Sequence, residues 1–308
     1  MTAQAQSPSH TVQRRGFAMM LMIVSSVIIS FGGLLVRNIE AADAWQINLY
    51  RSLALMVAIF LILCFQYRSR TLLELRGIGY AGVWAGAILA VAGIAFMQAL
   101  TNTTVANTMF TLSAIPFITA GLARLFLSEV LSRITVLAMV TTALGIIIMV
   151  MDGTGSGSLY GNGMALITAT SFSAFAVIVR ANRHVNMLPA LLMSGLFVGV
   201  VALVASLDAL QVTLHDLLLC LFWGGVMAGI GNGMFIIASR HLVAAELTLF
   251  MLLEFALSPL WVWMFVGESP TSWALVGGSI VISSVAIRAL IELRGVSRPI
   301  RRGRPSPS

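Results

Sequence analysis

Long apolar runs, separated by short polar segments, constrain this chain more than any other feature of its sequence. The stretch 77–123 contains no charged residue and is long enough for two passages through a bilayer. Only the polar tetrapeptide 101–104 interrupts it, which predicts a tight turn at one membrane face. A spanning helix needs about 20 mostly apolar residues, so the runs predict ten transmembrane helices. Their predicted ranges are 17–36, 45–66, 77–99, 103–126, 133–151, 160–181, 187–207, 215–238, 244–266 and 272–291.

The composition favours lipid as the solvent for most of the chain. Of the 308 residues, 59% are hydrophobic and only 9% are charged, whereas a soluble domain carries roughly a quarter charged residues. A chain so poor in charge has too little polar surface to cover a globule in water, so the predicted fold class is an all-α integral membrane protein. Cys64 and Cys220 both lie in apolar runs without metal-like spacing, so neither a disulfide nor a metal site is expected.

The distribution of arginine predicts the orientation in the membrane. The formal net charge is +7, and all 18 basic residues are Arg. They lie mostly between apolar runs, which argues against a nucleic-acid-binding face. If both termini are cytoplasmic, the outer segments contain only Arg37, and because cytoplasmic segments carry the excess of basic residues, this orientation is predicted. The expected interfacial anchors are Trp45, Trp261, Trp263 and Trp273.

An internal repeat divides the predicted helices into two groups of five. Sliding the chain on itself by 139 residues aligns Trp84 with Trp223 and Glu129 with Glu268 without a gap. Five is an odd number, so the second repeat is predicted to enter the membrane inverted around a central cavity, an arrangement that suits alternating access. A duplicated scaffold without transport is the alternative. The predicted organisation is a cytoplasmic tail 1–16, a first repeat 17–151, a linker 152–159, a second repeat 160–292 and a basic cytoplasmic tail 293–308.

Further short motifs accompany the duplication. Arg51 lies in the second predicted helix, Pro116 and Pro259 lie in the fourth and ninth, and Glu268 ends the turn 266–268. Together these features resemble the drug/metabolite transporter superfamily, in its ten-helix type with two EamA domains, over about residues 17–291. Within it, the chain looks most similar to bacterial exporters of amino acids, including aromatic ones. The resemblance implies a bacterial inner-membrane transporter that needs no cofactor and no oligomer, with a small-molecule solute and the lipid bilayer as partners.

Ionisable residues at membrane depth are costly and usually face a cavity or a partner. Glu254, near the middle of the ninth predicted helix, is either a site for a substrate ammonium group or proton, or a hydrogen-bonded structural carboxylate. Arg51 can bind a carboxylate or pair with an acid such as Glu40 or Asp43, and the structural role is favoured.

Aromatic, amide and hydroxyl side chains complete the predicted lining. Those on or beside the third and eighth predicted helices are Trp84, Phe96, Gln98, Asn102, Asn107, Trp223, Asn232 and Phe235. The helices that form the cavity in the resembled family add Phe31, Thr111, Ser113, Ser171, Phe175 and Ser258. Spaced glycines allow close helix packing, which is favoured, or leave room for a solute; they are Gly82, Gly86, Gly225, Gly229 and Gly233. Pro116 and Pro259 predict kinks, either static or used in gating.

The expected function is export of small, largely neutral metabolites by alternating access, with amino acids as the leading substrate class. The sequence contains no P-loop, no HExxH helix and no nucleophile elbow, so neither ATP-driven transport nor an enzyme is expected. The first rival is a proton-coupled exporter of cationic drugs that acts through Glu254. The second is a non-transporting membrane scaffold or a lipid-processing enzyme.

Overall fold

The chain folds into helices joined by short connections. The computed structural model describes residues 8–128, 133–151, 159–182, 185–207, 209–239 and 244–296, and no β-strand occurs within them. In lipid, a helix satisfies all of its backbone N–H and C=O groups within one segment, which explains why these apolar runs are helical.

The helices are numbered in chain order. They are α1 (Pro8–Ser30), α2 (Gly32–Arg37), α3 (Ala44–Tyr67), α4 (Thr71–Arg76), α5 (Gly79–Asn102), α6 (Val105–Leu112), α7 (Ile115–Leu127), α8 (Arg133–Met151), α9 (Leu159–Ala181), α10 (Leu188–Ala205), α11 (Leu214–Phe222), α12 (Asn232–Ser239), α13 (Ala244–Val266) and α14 (Ser272–Val296). A 3-10 turn at Arg68–Arg70 joins α3 to α4, and a π-helical segment at Trp223–Gly231 joins α11 to α12.

Seven helical stretches of the described part are long and apolar enough to cross a membrane. They are Gly16–Arg37, Ala44–Arg76, Gly79–Asn102, Val105–Leu127, Leu159–Ala181, Leu188–Ala205 and Leu214–Ala238. The other predicted spans coincide with α8, α13 and α14, which contain the shorter apolar segments Val136–Ile148, Leu253–Val266 and Ser272–Ser284. The prediction of a multi-pass, all-helical membrane protein is confirmed, whereas the total of ten spans stays a prediction.

Two of the predicted spans are interrupted. α1 and α2 are separated at Phe31, and α6 and α7 are separated at residues 113–114. Pro116 lies in the first turn of α7, where its missing N–H removes no helical hydrogen bond. The kink predicted at Pro116 is therefore a break between two helices, while Pro259 lies inside the continuous helix α13.

Helices pack mainly against partners that are distant in sequence. α5 packs against α9 and α10, and α3 packs against α10, α11 and the π-helical segment. α1 packs against α12 and α13, and α8 packs against α14. α6 and α7 lie against α9, while α2 and α6 lie against α13. The largest cluster of buried apolar side chains lies where α2, α5, α6, the π-helical segment and α13 converge.

Candidate functional site

Arg37, the last residue of α2, joins several segments at one end of the bundle. Its Nε lies 2.6 Å from Oε2 of Glu268, which follows α13. Its two terminal nitrogens donate to the carbonyl oxygens of Leu100 at 2.8 Å and Thr103 at 2.9 Å, near the end of α5. Oε1 of Glu268 accepts from the N–H of Val105 at 2.8 Å. The pair therefore ties the ends of α2, α5 and α13 to the start of α6.

A second set of hydrogen bonds joins other segments at the same end. The buried carboxylate of Asp216, in the first turn of α11, accepts from the backbone N–H groups of Glu40, Ala41 and Ala42 at 2.9–3.1 Å. The Gln46 amide of α3 donates to two carbonyl oxygens in the loop before α11. We call this end of the bundle, where α2, α5 and α13 finish and α3, α6 and α11 begin, the closed end.

Apolar side chains fill the space beneath these ties. Val36, Leu100 and Val105 are 6%, 0% and 0% exposed, and all three belong to the central apolar cluster. Buried side chains of a protein interior pack closely against one another. Apolar side chains therefore fill the bundle interior next to the ties of the closed end.

A layer of aromatic rings lies next along the bundle. Phe31 and Trp261 stack with ring centroids 4.9 Å apart and planes 7° apart, and Nε1 of Trp261 donates to Oγ of Ser30 at 2.9 Å. Phe96 meets Trp223 edge to face at 6.5 Å. At a rise of 1.5 Å per residue, these rings lie about 8–14 Å from the helix ends at the closed end. We call Phe31, Phe96, Trp223 and Trp261 the aromatic layer.

Arg51 lies at the depth of the aromatic layer. Its guanidinium carbon lies 5.2 Å from the ring centroid of Trp223, and its Nη2 donates to Oδ1 of Asn48 at 3.2 Å and to the carbonyl oxygen of Gly93 at 3.3 Å. The expected acidic partner is not found, because Asp43 caps the first turn of α3 instead. Among the described residues, no ion pair includes Arg51, and its buried Nε has no hydrogen-bond partner.

Glu254 lies about 18 Å from the end of α13, at 1.5 Å per residue, and hence near the middle of the bundle. It shares one face of α13 with Ser258 and Trp261, because residues four and seven apart lie on the same side of a helix. This face packs against the first predicted span, since a Cβ at Gly33 would lie 2.8 Å from Oγ of Ser258. The Glu254 side chain is half-buried and makes no hydrogen bond or ion pair within the described part of the chain.

Several other predicted lining residues also lie in the interior. Asn107, Thr111 and Ser113 of the α6 region are all buried, at 5%, 3% and 0% exposure. Like Ser258, Asn107 carries a buried polar atom without a hydrogen-bond partner. Buried polar groups normally have partners, so these two atoms have hydrogen-bonding capacity that the described residues leave unused.

The remaining predicted lining residues lie elsewhere. Trp84 is 66% exposed and faces outward from the bundle. Asn102 is exposed at the end of α5, where it hydrogen-bonds to Gln98. Phe175 and Phe235 pack in a second apolar cluster around α3, α9 and α10. Asn232 donates to a carbonyl oxygen of the π-helical segment one turn earlier, and Ser171 is half-buried on α9.

The predicted glycines lie at close helix contacts. A Cβ at Gly86 would lie 2.6 Å from Cβ of Met193 in α10, and a Cβ at Gly229 would lie 2.6 Å from Cβ of Ala58 in α3. Gly225 and Gly233 also face α3, at ordinary contact distances from Ala54 and Ile62, and Gly82 lies against the side chain of Ile78. Gly86 and Gly229 therefore lie where two helices approach closely, and the packing role of the whole set stays a prediction.

Neither the Arg37–Glu268 pair nor the role of Asp216 was predicted from the sequence. A usable signal existed, because Arg37 is the only Arg of the predicted outer segments and Glu268 follows a helix that ends on the same side. Trp261 was expected at the interface but lies in the aromatic layer, whereas Trp263 and Trp273 are 55% exposed, as lipid-facing anchors would be. Glu129, the repeat partner of Glu268, lies outside the described residues.

Comparisons with known proteins agree with this architecture. A crystal structure of a protein with 14% sequence identity superposes with a TM-score of 0.66, covering 92% of this chain and 99% of the other, which shows a shared fold. No curated protein sequence matches the chain. The model of the EamA-like transporter family matches residues 16–151. The chain is thus a multi-pass membrane protein, and its residues 16–151 are similar to the EamA-like transporter family.

Proposed function

We propose that the protein is a secondary transporter that exports small metabolites, most of all amino acids including aromatic ones, by alternating access. The observation that carries the proposal is a charged side chain without an ion-pair partner that lies beside aromatic rings inside the bundle. Arg51 lies beside the aromatic layer without an ion-pair partner in the described residues, and the Arg37–Glu268 pair ties the helix ends together beyond it. Charges at membrane depth usually serve substrate or ion passage. The EamA-like domain favours the same class of function.

Packing supports two inverted repeats. If the first five predicted spans match the second five, α5 corresponds to the α11–α12 span, and α9 corresponds to α1. The contact of α5 with α9 should then recur as a contact between the α11–α12 span and α1. Likewise, the contact of α5 with α10 should recur between the α11–α12 span and α3. Both contacts occur. Gly86 lies against α10, and Gly225, its partner in the 139-residue register, faces α3. Exchanging the conformations of two such halves would open the opposite end of the bundle.

The closed end would face outward in the proposed orientation. Arg68, Arg76, Arg124 and Arg180 lie at helix ends opposite to it, and Arg37 at the closed end is neutralised by Glu268. Basic residues accumulate on the cytoplasmic side of membrane proteins. Both termini would therefore be cytoplasmic in a bacterial inner membrane, and the structure would represent an outward-closed state.

Flux through the purified protein tests the proposal. Proteoliposomes loaded with radiolabelled phenylalanine, leucine or glutamine should release at least one of these solutes faster than loaded vesicles without the protein. An excess of the same unlabelled solute should slow the release of the label. The Glu74→Gln variant is the matched control for substitutions of acidic residues in the candidate site and should transport like the wild-type protein. Glu74 lies outside that site, where it accepts a hydrogen bond from the Asn186 amide. Absence of flux for every amino acid and drug tested would reject the proposal and favour a membrane scaffold or a lipid-processing enzyme.

A second candidate function rests on Glu254. A half-buried carboxylate in the middle of the bundle, without a partner in the described residues, can carry a proton or attract a cation. If the protein exports cationic drugs in exchange for protons, Glu254→Gln should abolish pH-driven drug transport. If it exports amino acids as proposed, the same variant should leave amino-acid efflux largely intact.

A further inference from the structure

The guanidinium group of Arg51 is held in place but only partly satisfied. Both of its hydrogen bonds come from Nη2, at 3.2 and 3.3 Å, and both acceptors are neutral: the Asn48 amide and the Gly93 carbonyl. Nε is buried without a partner, and Nη1 makes no hydrogen bond within the described residues. A guanidinium group has five N–H donors arranged to match a planar anion, so most of its hydrogen-bonding capacity is unused.

The described surroundings of Arg51 supply no counter-charge. Asp216 on the adjacent α11 accepts from three backbone N–H groups, and Asp43 caps α3. The contact with the face of Trp223 adds an attraction of the order of 1 kcal/mol, far less than the cost of an unpaired charge in an apolar interior. The half-buried side chain nevertheless points toward α5 and the π-helical segment, away from the outer surface of α3.

The local backbone is shaped to hold this group. The π-helical segment begins at Trp223, and such segments are frequently found at functional sites. Gly93 has no side chain, and a Cβ at this position would lie 3.5 Å from Nη2 of Arg51. Close contact between Gly224 and the Arg51 backbone keeps α3 against the π-helical segment. Arg51 is therefore held in position while most of its N–H donors have no acceptor among the described residues.

We propose that Arg51 is an anion-binding subsite that receives the carboxylate of the transported solute, with the rings of Trp223 and Phe96 beside its apolar part. This inference rests on the proposed function and deepens it by naming the group that is recognised. Solutes with a carboxylate next to an apolar or aromatic side chain bind more tightly than the corresponding amides and amines. An arginine–carboxylate pair adds both charge and bidentate geometry, so discrimination against the amide is about tenfold or more.

A matched ligand series tests the subsite by binding and by transport. The probes are phenylalanine, phenylalaninamide, phenethylamine and 3-phenylpropionate, which separate the carboxylate from the ammonium group. In the wild-type protein, phenylalanine and 3-phenylpropionate should raise the apparent melting temperature at concentrations about tenfold lower than the two probes without a carboxylate. In proteoliposomes, phenylalanine should compete for flux at least tenfold better than phenylalaninamide.

Two variants separate recognition from folding. Arg51→Gln removes the charge and should abolish the preference for the carboxylate, so that phenylalanine and phenylalaninamide bind equally well. Asn48→Asp is nearly isosteric and places a carboxylate beside Nη2, so it should neutralise Arg51 without lowering the melting temperature and should also abolish the preference. As a further check on geometry, Arg51→Lys keeps the positive charge but lacks the planar set of N–H donors of a guanidinium group, and it should retain part of the preference.

The outcomes distinguish the two proposals. Equal binding of phenylalanine and phenylalaninamide by the wild-type protein would overturn the subsite, and so would a folded Asn48→Asp protein that keeps the preference. If no solute is transported, the proposed function fails, and the binding series alone then decides whether Arg51 recognises carboxylates.

Discussion

Neutralising Glu268 should loosen the closed end by a measurable amount. The Glu268→Gln substitution keeps the shape of the side chain and an acceptor for the Val105 N–H, but it removes the charge 2.6 Å from Nε of Arg37. The two side chains are 24% and 20% exposed, so the pair lies between a surface ion pair, worth at most about 1 kcal/mol, and a buried one, whose disruption costs about 3–5 kcal/mol. We therefore expect a loss of about 1–3 kcal/mol from the closed state, which raises the population open at this end about 5- to 150-fold.

The cysteines of the chain provide the assay. Cys220 is fully buried in the central cluster close to the closed end, so a membrane-impermeant maleimide reaches it only when that end opens. When opening is fast compared with alkylation, the rate reports the open population. In a Cys64→Ala background, Glu268→Gln should accelerate labelling of Cys220 about 5- to 150-fold. Cys64 lies near the opposite end of α3 and is half-buried, so its labelling in a Cys220→Ala background should not accelerate.

A double-mutant cycle assigns the effect to the pair itself. Arg37→Gln should accelerate labelling at least as much as Glu268→Gln, because it also removes the bonds to the carbonyl oxygens of Leu100 and Thr103. The double variant should be no faster than Arg37→Gln alone, because the partner of Glu268 is already lost. Additive effects, or a Cys220 rate that changes less than about twofold in Glu268→Gln, would refute the idea that this pair holds the end shut.

The remaining predictions concern packing and folding. Gly229→Ala should lower the apparent melting temperature, because its Cβ would lie 2.6 Å from that of Ala58 and overpacking costs about 1–3 kcal/mol. Gly163→Ala, with no atom within 4 Å, should not lower it. Asp216→Asn should destabilise the fold by about 1–3 kcal/mol in denaturant melts, because it weakens charge-assisted bonds to three N–H groups; an unchanged melt would contradict that role. Trp261→Leu should cost about 1–3 kcal/mol through lost stacking and burial, with the exposed Trp263→Leu as its nearly neutral control.

Much of the fold follows from the order of residues along the chain. Runs of about 20 apolar residues can satisfy their backbone in lipid only as helices, so the helices lie where the runs lie. The turn predicted at residues 101–104 separates α5 from α6 as expected. Glu254 and Arg51 stand out from the order of residues alone, because a charge inside an apolar run is costly wherever it points.

The inward faces of the helices were decided by tertiary structure alone. A helix that is apolar on all sides has no polar face to mark its outer surface, so Trp84 and Trp223 look equivalent in the repeat, yet one is 66% exposed and the other 3%. The Arg37–Glu268 contact joins residues 231 positions apart, and no local pattern predicts it. Sequence by itself determined which segments enter the membrane, because transfer into lipid depends on each segment alone. Only the packed bundle determined which groups meet around the aromatic layer and the closed end, because those contacts depend on how the helices are arranged around one another.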